Sequence, residues 1–181
     1  MIFTLANLQF FLMFPFYYAI NKLKMKIKLL LIGKTEEEYL RKGISVYEER
    51  LKHYIGFEMI TIDALKNTKS LSFELQKEKE ATLVEKYLTN ADCIILLDEN
   101  GKQFSSVEFA VFLQKQMNNA VKNLIFIVGG PYGFSENLQK KANFKISLSP
   151  MTFSHQLVRL IFAEQLYRAF TIIRNEPYHH E

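Results

Sequence analysis

Residues Leu124–Phe153, LIFIVGGPYGFSENLQKKANFKISLSPMTF, carry the pattern that decides the fold. The run opens with five consecutive apolar side chains, the composition of a strand covered on both faces. Gly129-Gly130-Pro131-Tyr132-Gly133 breaks it, a short helix is predicted over about Ser135–Lys141, and Phe144–Leu148 reads as a further strand. The chain then turns through Pro150, whose ring confines Ser149 to extended geometry. A long helix is predicted from about Phe153 to Ile173, ahead of a polar tail, Arg174 to Glu181.

Working outward, the same alternation runs toward the N-terminus. Cys93–Asp98 is a second continuous apolar run, Glu99–Lys102 reads as a turn, and Ser105 with Glu108 has the capping-box spacing that opens a helix to about Asn118. Lys26–Ile32 and Phe57–Ile62 read as strands. Leu40, Ile44, Tyr47 and Leu51 form a helical stripe over about Glu36–His53. After a polar loop, Asp63–Ser70, a charged helix is predicted over about Ser72–Leu88, with Leu75, Leu83, Val84 and Tyr87 as its buried face. Alternating strands and helices predict an α/β fold with a mainly parallel sheet covered on both faces. Ligands of such sheets sit at the carboxyl ends of the strands, which singles out three loops: Asp98–Gly101, Gly129–Gly133 and Ser147–Phe153. With no repeat or linker visible, residues 25–181 are expected to form a single domain.

Composition sets the class. Of 181 residues 49% are apolar and 23% charged, and only 7 Gly and 4 Pro are present, which excludes disordered, collagen-like and low-complexity chains. A single cysteine, Cys93, permits no intrachain disulfide and anchors no zinc set, so a reducing, cytoplasmic setting is expected. Residues 1–24 are a separate matter: Met1–Ile20 carry no charged side chain, and Lys22, Lys24, Lys26 and Lys28 follow. The stretch suits a membrane anchor with the rest of the chain on the cytoplasmic side. It suits a signal peptide poorly, with no basic start and no small-residue cleavage site. It equally suits an upstream start ahead of a domain that begins at Met25. The expectation is that 1–24 stands outside the fold and that no membrane is involved unless it is a real anchor. The whole chain has a net charge of +4, and residues 25–181 hold 21 basic against 19 acidic side chains, a net of +2. So small a charge is a weak sign of nucleic-acid binding.

Several residues could carry chemistry. The Gly129–Gly133 loop lets backbone approach a ligand, yet it has neither the G-x-G-x-x-G spacing nor a following Gly-Lys-Ser/Thr, and such loops also merely turn a chain. Ser147–Phe153 offers main-chain groups to a ligand such as an adenine, or serves as a helix entry capped by Thr152 or Ser154. Glu164 and Arg168 share a helix face, and such a pair is usually a surface ion pair worth under about 1 kcal/mol; His155 and Arg159 make a second four-spaced pair. His155, His179 and His180 fit no zinc spacing, so no metal is expected.

Five motifs then occur in order. They are Leu97-Asp98 with Gly101-Lys102; Gly129-Gly130-Pro131 with Gly133; Ser147-Leu148-Ser149 with Met151-Thr152, His155-Gln156 and Arg159; Glu164-Gln165 with Tyr167-Arg168-Ala169; and Asn175 with Pro177-Tyr178-His179. Together they resemble the large-subunit ribosomal RNA pseudouridine N3-methyltransferases of the SPOUT superfamily, over Met25–Glu181. The resemblance implies an α/β fold with a C-terminal trefoil knot, an exception to unknotted chains. It implies S-adenosylmethionine as cofactor, and a homodimer whose sites are each completed by the partner's tail. It implies a substrate nucleotide in 23S rRNA of the assembled ribosome. Carried over by position, the cofactor pocket comprises Leu97, Gly129 or Gly130, Leu148, Ser149, Pro150, Met151, Thr152 and Phe153. The substrate side comprises His155, Glu164, Arg168, Tyr178 and His179. His179 is the candidate for removing the N3 proton, Arg168 for stabilising the anion or binding phosphate, Glu164 for orienting Arg168, and Tyr178 for stacking on the base. His180 departs from the family's usual Arg or Lys there, replacing a permanent charge with a titratable one.

Overall fold

The computed structural model describes residues 25–179. Residues 1–24, on which the anchor and start-site readings differ, and His180 lie outside the described residues. Among the described residues no helix is long and apolar enough to cross a membrane.

The elements alternate as the pattern predicts: β1 (Lys26–Ile32), α1 (Glu38–Lys52), β2 (Gly56–Ile62), a 3₁₀ turn (Thr68–Ser70), α2 (Phe73–Glu85), β3 (Cys93–Gln103), α3 (Ser106–Asn118), β4 (Asn123–Val128), α4 (Glu136–Lys141), β5 (Phe144–Ser147) and α5 (Leu157–Ile173). The five strands form one sheet in the order β2-β1-β4-β3-β5, every pair parallel. Central β4 explains its own composition, since each of Leu124–Val128 is at most 3% exposed. Alternate side chains serve two cores. Ile27, Leu29, Leu31, Leu124 and Phe126 pack with Leu51, Leu113, Phe162 and Phe170 on the face covered by α1, α3 and α5. Leu30, Ile32, Ile125 and Ile127 pack with Ala81, Val84 and Leu138 of α2 and α4 on the other. Burying each such side chain contributes about 1.5–3 kcal/mol before chain entropy is counted.

Three sequence expectations need correction. The predicted turn at Glu99–Lys102 lies inside β3, yet its bend is real. Leu97 and Lys102 both pair with Ile146, so residues 98–101 swing out of the ladder and return to it. Asn100 N–H donates to Asp98 Oδ1 at 2.8 Å to close that excursion. At its foot a Cβ on Gly101 would sit 2.6 Å from the backbone of Lys145 and Ile146, so only glycine fits. The buried face of α2 consists of Gln76, Glu80, Ala81 and Val84, whereas Leu75 and Tyr87 are 46% and 40% exposed. Val84 is buried as expected and Leu83 packs beside it, but the face also takes in Gln76 and Glu80, two polar residues that bond to each other. Finally, α5 begins at Leu157 and not at Phe153. Ser154 Oγ accepts from Leu157 N–H at 3.2 Å in the turn leading into the helix, whose own cap residue, Gln156, makes no side-chain cap bond.

Candidate functional site

A cavity of about 600 Å³ opens at the carboxyl ends of β3, β4 and β5. All three predicted loops line it, through residues 97–100, 128–134, 146–149 and 151–155, with Lys77 reaching in from α2. Of the residues expected to hold a cofactor, Leu97, Gly129, Gly130, Leu148, Ser149, Met151, Thr152 and Phe153 are in its wall. Pro150 is not; it is exposed and bends the loop without lining it.

Local bonding explains the shape. Ser147 Oγ donates to Ser149 carbonyl oxygen at 2.8 Å, and Ser149 Oγ accepts from Met151 N–H at 2.8 Å, so the proline turn is fixed by its own serines. Thr152 Oγ1 donates to Glu99 at 3.1 Å, tying this loop to the β3 excursion across the cavity mouth. Glycines make the opposite wall. Gly133 adopts φ +78°, and a Cβ at Gly129 would lie 3.1 Å from the Phe134 ring. Tyr132 stacks on Phe73 with ring centroids 4.2 Å apart, and both rings stay largely exposed at the rim.

His155 stands at the rim and lines the cavity. Partial burial of its ring, then the nearby Arg159 cation, holds the imidazole below the ordinary histidine value. Arg159 is no surface partner for it. Its guanidinium is fully buried, donating to the carbonyl oxygens of Ile32 (2.7 Å), Gly33 (2.9 Å) and His155 (2.9 Å) and to Thr35 Oγ1 (2.9 Å). It staples the end of β1 to the start of α5.

The other predicted substrate-side residues form a second cluster, away from the cavity. Glu164 Oε1 accepts from Arg168 Nε (3.0 Å) and Nη2 (2.5 Å) and from the Tyr178 hydroxyl (3.2 Å). The pair is half-buried, not the solvated surface pair that i, i+4 spacing usually signifies. The Arg168 guanidinium lies 4.8 Å over the Tyr178 ring, and Tyr167 meets that ring edge-on at 4.8 Å. Tyr47, from α1, reaches the Tyr178 hydroxyl at 3.5 Å. Burial first, then bonding to Tyr47 and the Glu164 charge, push the Tyr178 phenol well above its ordinary value, so it stays a neutral donor. His179 follows, half-buried. From Val158, which lines the cavity, to Arg168 is about 15 Å along the axis of α5. A single chain therefore gathers Glu164, Arg168 and Tyr178 but does not bring them to the cavity.

Sequence reasoning missed Lys77, Tyr132 and Tyr47. Tyr132 was legible as part of its loop. Lys77 and Tyr47 reach their sites through packing of helices far apart in the chain. Among the described residues no group of three or more His, Cys, Asp or Glu is placed to hold a metal ion.

Comparison with known proteins bears on this arrangement. The family model described as "Predicted SPOUT methyltransferase" matches residues 25–179. A Flavobacterium johnsoniae protein named "Ribosomal RNA large subunit methyltransferase H" is 59% identical over 157 residues, which are 87% of this chain and 100% of that protein. One of the same name from Christiangramia forsetii is 58% identical over 156 residues, 86% of this chain and 99% of that one. Among solved structures, a probable methyltransferase from Bordetella pertussis Tohama I superposes with a TM-score of 0.55 at 10% identity, covering 84% of this chain and 98% of that chain. A probable methylase family protein from Haemophilus influenzae Rd KW20 gives 0.53 at 12% identity, covering 83% and 67%. At such identities the likeness is one of fold.

Proposed function

The chain belongs to the SPOUT methyltransferase family, and from that premise we propose that it uses S-adenosylmethionine to methylate N3 of a pseudouridine in 23S rRNA, acting in the cytoplasm on the assembled ribosome. One observation carries this reading: a glycine-walled cavity at the carboxyl ends of β3, β4 and β5, built from the three loops in which the first three of the five motifs fall.

The cavity suits such a cofactor. Its volume of about 600 Å³ is in the range of small-molecule sites. A Cβ at Gly130 would collide with Glu80 at 2.5 Å, so the backbone there has been kept bare. The Leu148–Phe153 wall presents main-chain groups and small hydroxyls, the donors and acceptors an adenosine edge needs. When bound, the cofactor supplies an electrophilic methyl carbon. Leu97, Gly129, Gly130, Leu148, Ser149, Met151, Thr152 and Phe153 hold and orient it, and His155 stands beside the opening.

Transfer requires the nucleophilic nitrogen in line with the methyl carbon and stripped of its imide proton. In this proposal His179 takes that proton. Arg168, held by Glu164 in a two-point contact, stabilises the resulting anion, and Tyr178 faces the base. The separation along α5 gives the reading its quaternary element: a homodimer, in which the cavity of one copy is served by the Glu164–Arg168–Tyr178–His179 cluster of the other. The knot implied by the family resemblance belongs to the same proposal. A net charge of +2 on residues 25–181 gives little long-range pull on bare RNA, which favours a protein-containing ribosomal surface as substrate.

The test is tritium transfer from labelled S-adenosylmethionine with protein beginning at Met25. Ribosomes lacking the methyl mark are compared with isolated large-subunit RNA and with transfer RNA. Label on ribosomes alone is expected. Label on transfer RNA would keep the enzyme class and replace the substrate. No label on any of them would refute the reading for this domain.

A further inference from the structure

A buried polar pair on α2 has no part in the chemistry above. Gln76 is 9% and Glu80 4% exposed, and Gln76 Nε2 donates to Glu80 Oε1 at 2.8 Å. The second carboxyl oxygen, Oε2, has no hydrogen-bond partner among the described residues. A buried carboxyl oxygen left in that state is costly, and a fold that keeps one calls for a reason. Its location suggests one. A Cβ placed on Gly130 would lie 2.5 Å from Glu80 Oε2 and 3.0 Å from Oε1 and the carboxyl carbon. The carboxyl group therefore occupies the space that a side chain at Gly130 would need, and Gly130 also lines the cavity.

Other contacts also hold the loop, among them the stacking of Tyr132 on Phe73 of α2. Gly133 N–H donates to Gly130 carbonyl oxygen at 3.2 Å, closing the tip on itself, and Phe134 and Ser135 anchor the far end. Beneath the tip stands Glu80. Burial raises its carboxyl above the ordinary value, with the Gln76 bond opposing. The charged form is thus less favourable there than on an exposed carboxyl group.

We propose that Glu80 is a positioning residue: its carboxyl group, fixed by Gln76, bears on Gly130 and sets the height of the Gly129–Gly133 loop in the cavity wall. The proposal rests on the reading of that cavity as the methyl-donor site. Removing the carboxyl group lets the loop sink toward α2 and widens the cavity. Adding a Cβ to Gly130 drives the loop the other way. The two changes are opposite displacements of one loop and must be energetically coupled.

The experiment measures the Kd of S-adenosylhomocysteine by calorimetry on the full chain, with urea unfolding of each variant alongside. E80A is expected to weaken binding about tenfold, the loss of one buried support. G130A weakens it at least as much. The E80A/G130A double variant binds more tightly than G130A alone, and E80Q recovers most of what E80A loses. In methyl-transfer assays E80A raises KM for the methyl donor and leaves KM for ribosomes in place. If E80A does not fold, E80D, which withdraws the carboxyl group by one methylene, is measured in its place with the same expectation. Additive losses in the double variant, or wild-type affinity in E80A while G130A is weakened, overturn the role of Glu80 alone. Wild-type affinity in G130A, or no affinity in the wild-type chain, overturns the cavity reading and this proposal with it.

Discussion

Replacing Arg159 tests whether one buried cation organises the cavity rim. The side chain is 0% exposed and held by four neutral oxygens. Arg159→Met keeps much of the volume and removes every donor. Three carbonyl oxygens, those of Ile32, Gly33 and His155, are left in or near the core with a bond missing. Each orphaned group costs about 1–3 kcal/mol, less wherever water reaches it. Relief of the buried charge gives part of this back, since desolvation already opposes the guanidinium. A net loss of about 4 kcal/mol results, against a total stability of roughly 5–15 kcal/mol for a domain. In urea that is a midpoint shift of about 2 M. Thermally it is about 8–16 °C. Arg159→Lys returns the charge but cannot fork to carbonyls of β1 and of the α5 entry at once, so it falls between. Because the His155 carbonyl belongs to the rim, affinity for S-adenosylhomocysteine falls in the same order. An Arg159→Met protein within about 1 kcal/mol of wild type would refute the account, because that is the loss of an ordinary substitution.

Gly101→Ala puts a methyl group 2.6 Å from the Lys145–Ile146 backbone, and no side chain can move aside. A loss of about 3 kcal/mol or more by urea unfolding is expected, and under about 1 kcal/mol would contradict the geometry. Glu164→Gln keeps the shape of the cluster and removes the charge that fixes Arg168; because the pair is largely shielded from solvent and Glu164 also accepts from Tyr178, a stability loss of about 1–3 kcal/mol is expected. Methyl transfer should fall more than about tenfold with S-adenosylhomocysteine affinity unchanged, and a parallel loss of affinity would place Glu164 in the cofactor site. For His155 the folded imidazole binds its proton less readily than the unfolded one. Its contribution is therefore present above the ordinary histidine value and is lost as pH falls through that value toward the lower folded one. Asn in its place should flatten the pH dependence of urea unfolding across that window; an unchanged slope would show that His155 does not titrate differently on folding. Ser105→Ala removes the acceptor of Glu108 N–H in a complete capping box and should cost about 1 kcal/mol.

The sheet was legible because its strands obey the simplest burial rule. Leu124–Val128 and Cys93–Leu97 are covered on both faces and are apolar throughout, so their neighbours had to be helices on either side. Strand order was not legible. That β4 lies between β1 and β3 depends on which pairs of strands share helices, and no local pattern encodes it. The cavity-lining loops came from the general rule about carboxyl ends of strands, and the resemblance of their motifs to a family added the roles expected of their residues. The distance between the cavity and the Glu164 cluster was hidden because both belong to α5 and its flanks. Sequence spacing places them near one another, whereas the helix carries them about 15 Å apart.

Arg159, Gln76 and Glu80 show why the rest stayed out of reach. Apolar periodicity finds cores by assuming that polar side chains face water. The assumption fails where a polar group finds its partners inside. Arg159 lies in α5 one residue after Val158, and its charge marked it as exposed, yet its donors fill carbonyl acceptors at the end of β1. Gln76 and Glu80 sit four apart on the buried stripe of α2 that Val84 shares, where hydropathy left them out, because each satisfies part of the other. Both exceptions adjoin the cavity, and that is no coincidence of packing. A cavity wall must hold backbone in place without filling the space with side chains. Bare glycines and a proline turn supply the wall, so the restraint has to come from behind it. Hydrogen-bonding side chains provide it in a directed way that apolar packing cannot. The polar residues that hydropathy misplaces are, here, those on which the geometry of the site depends.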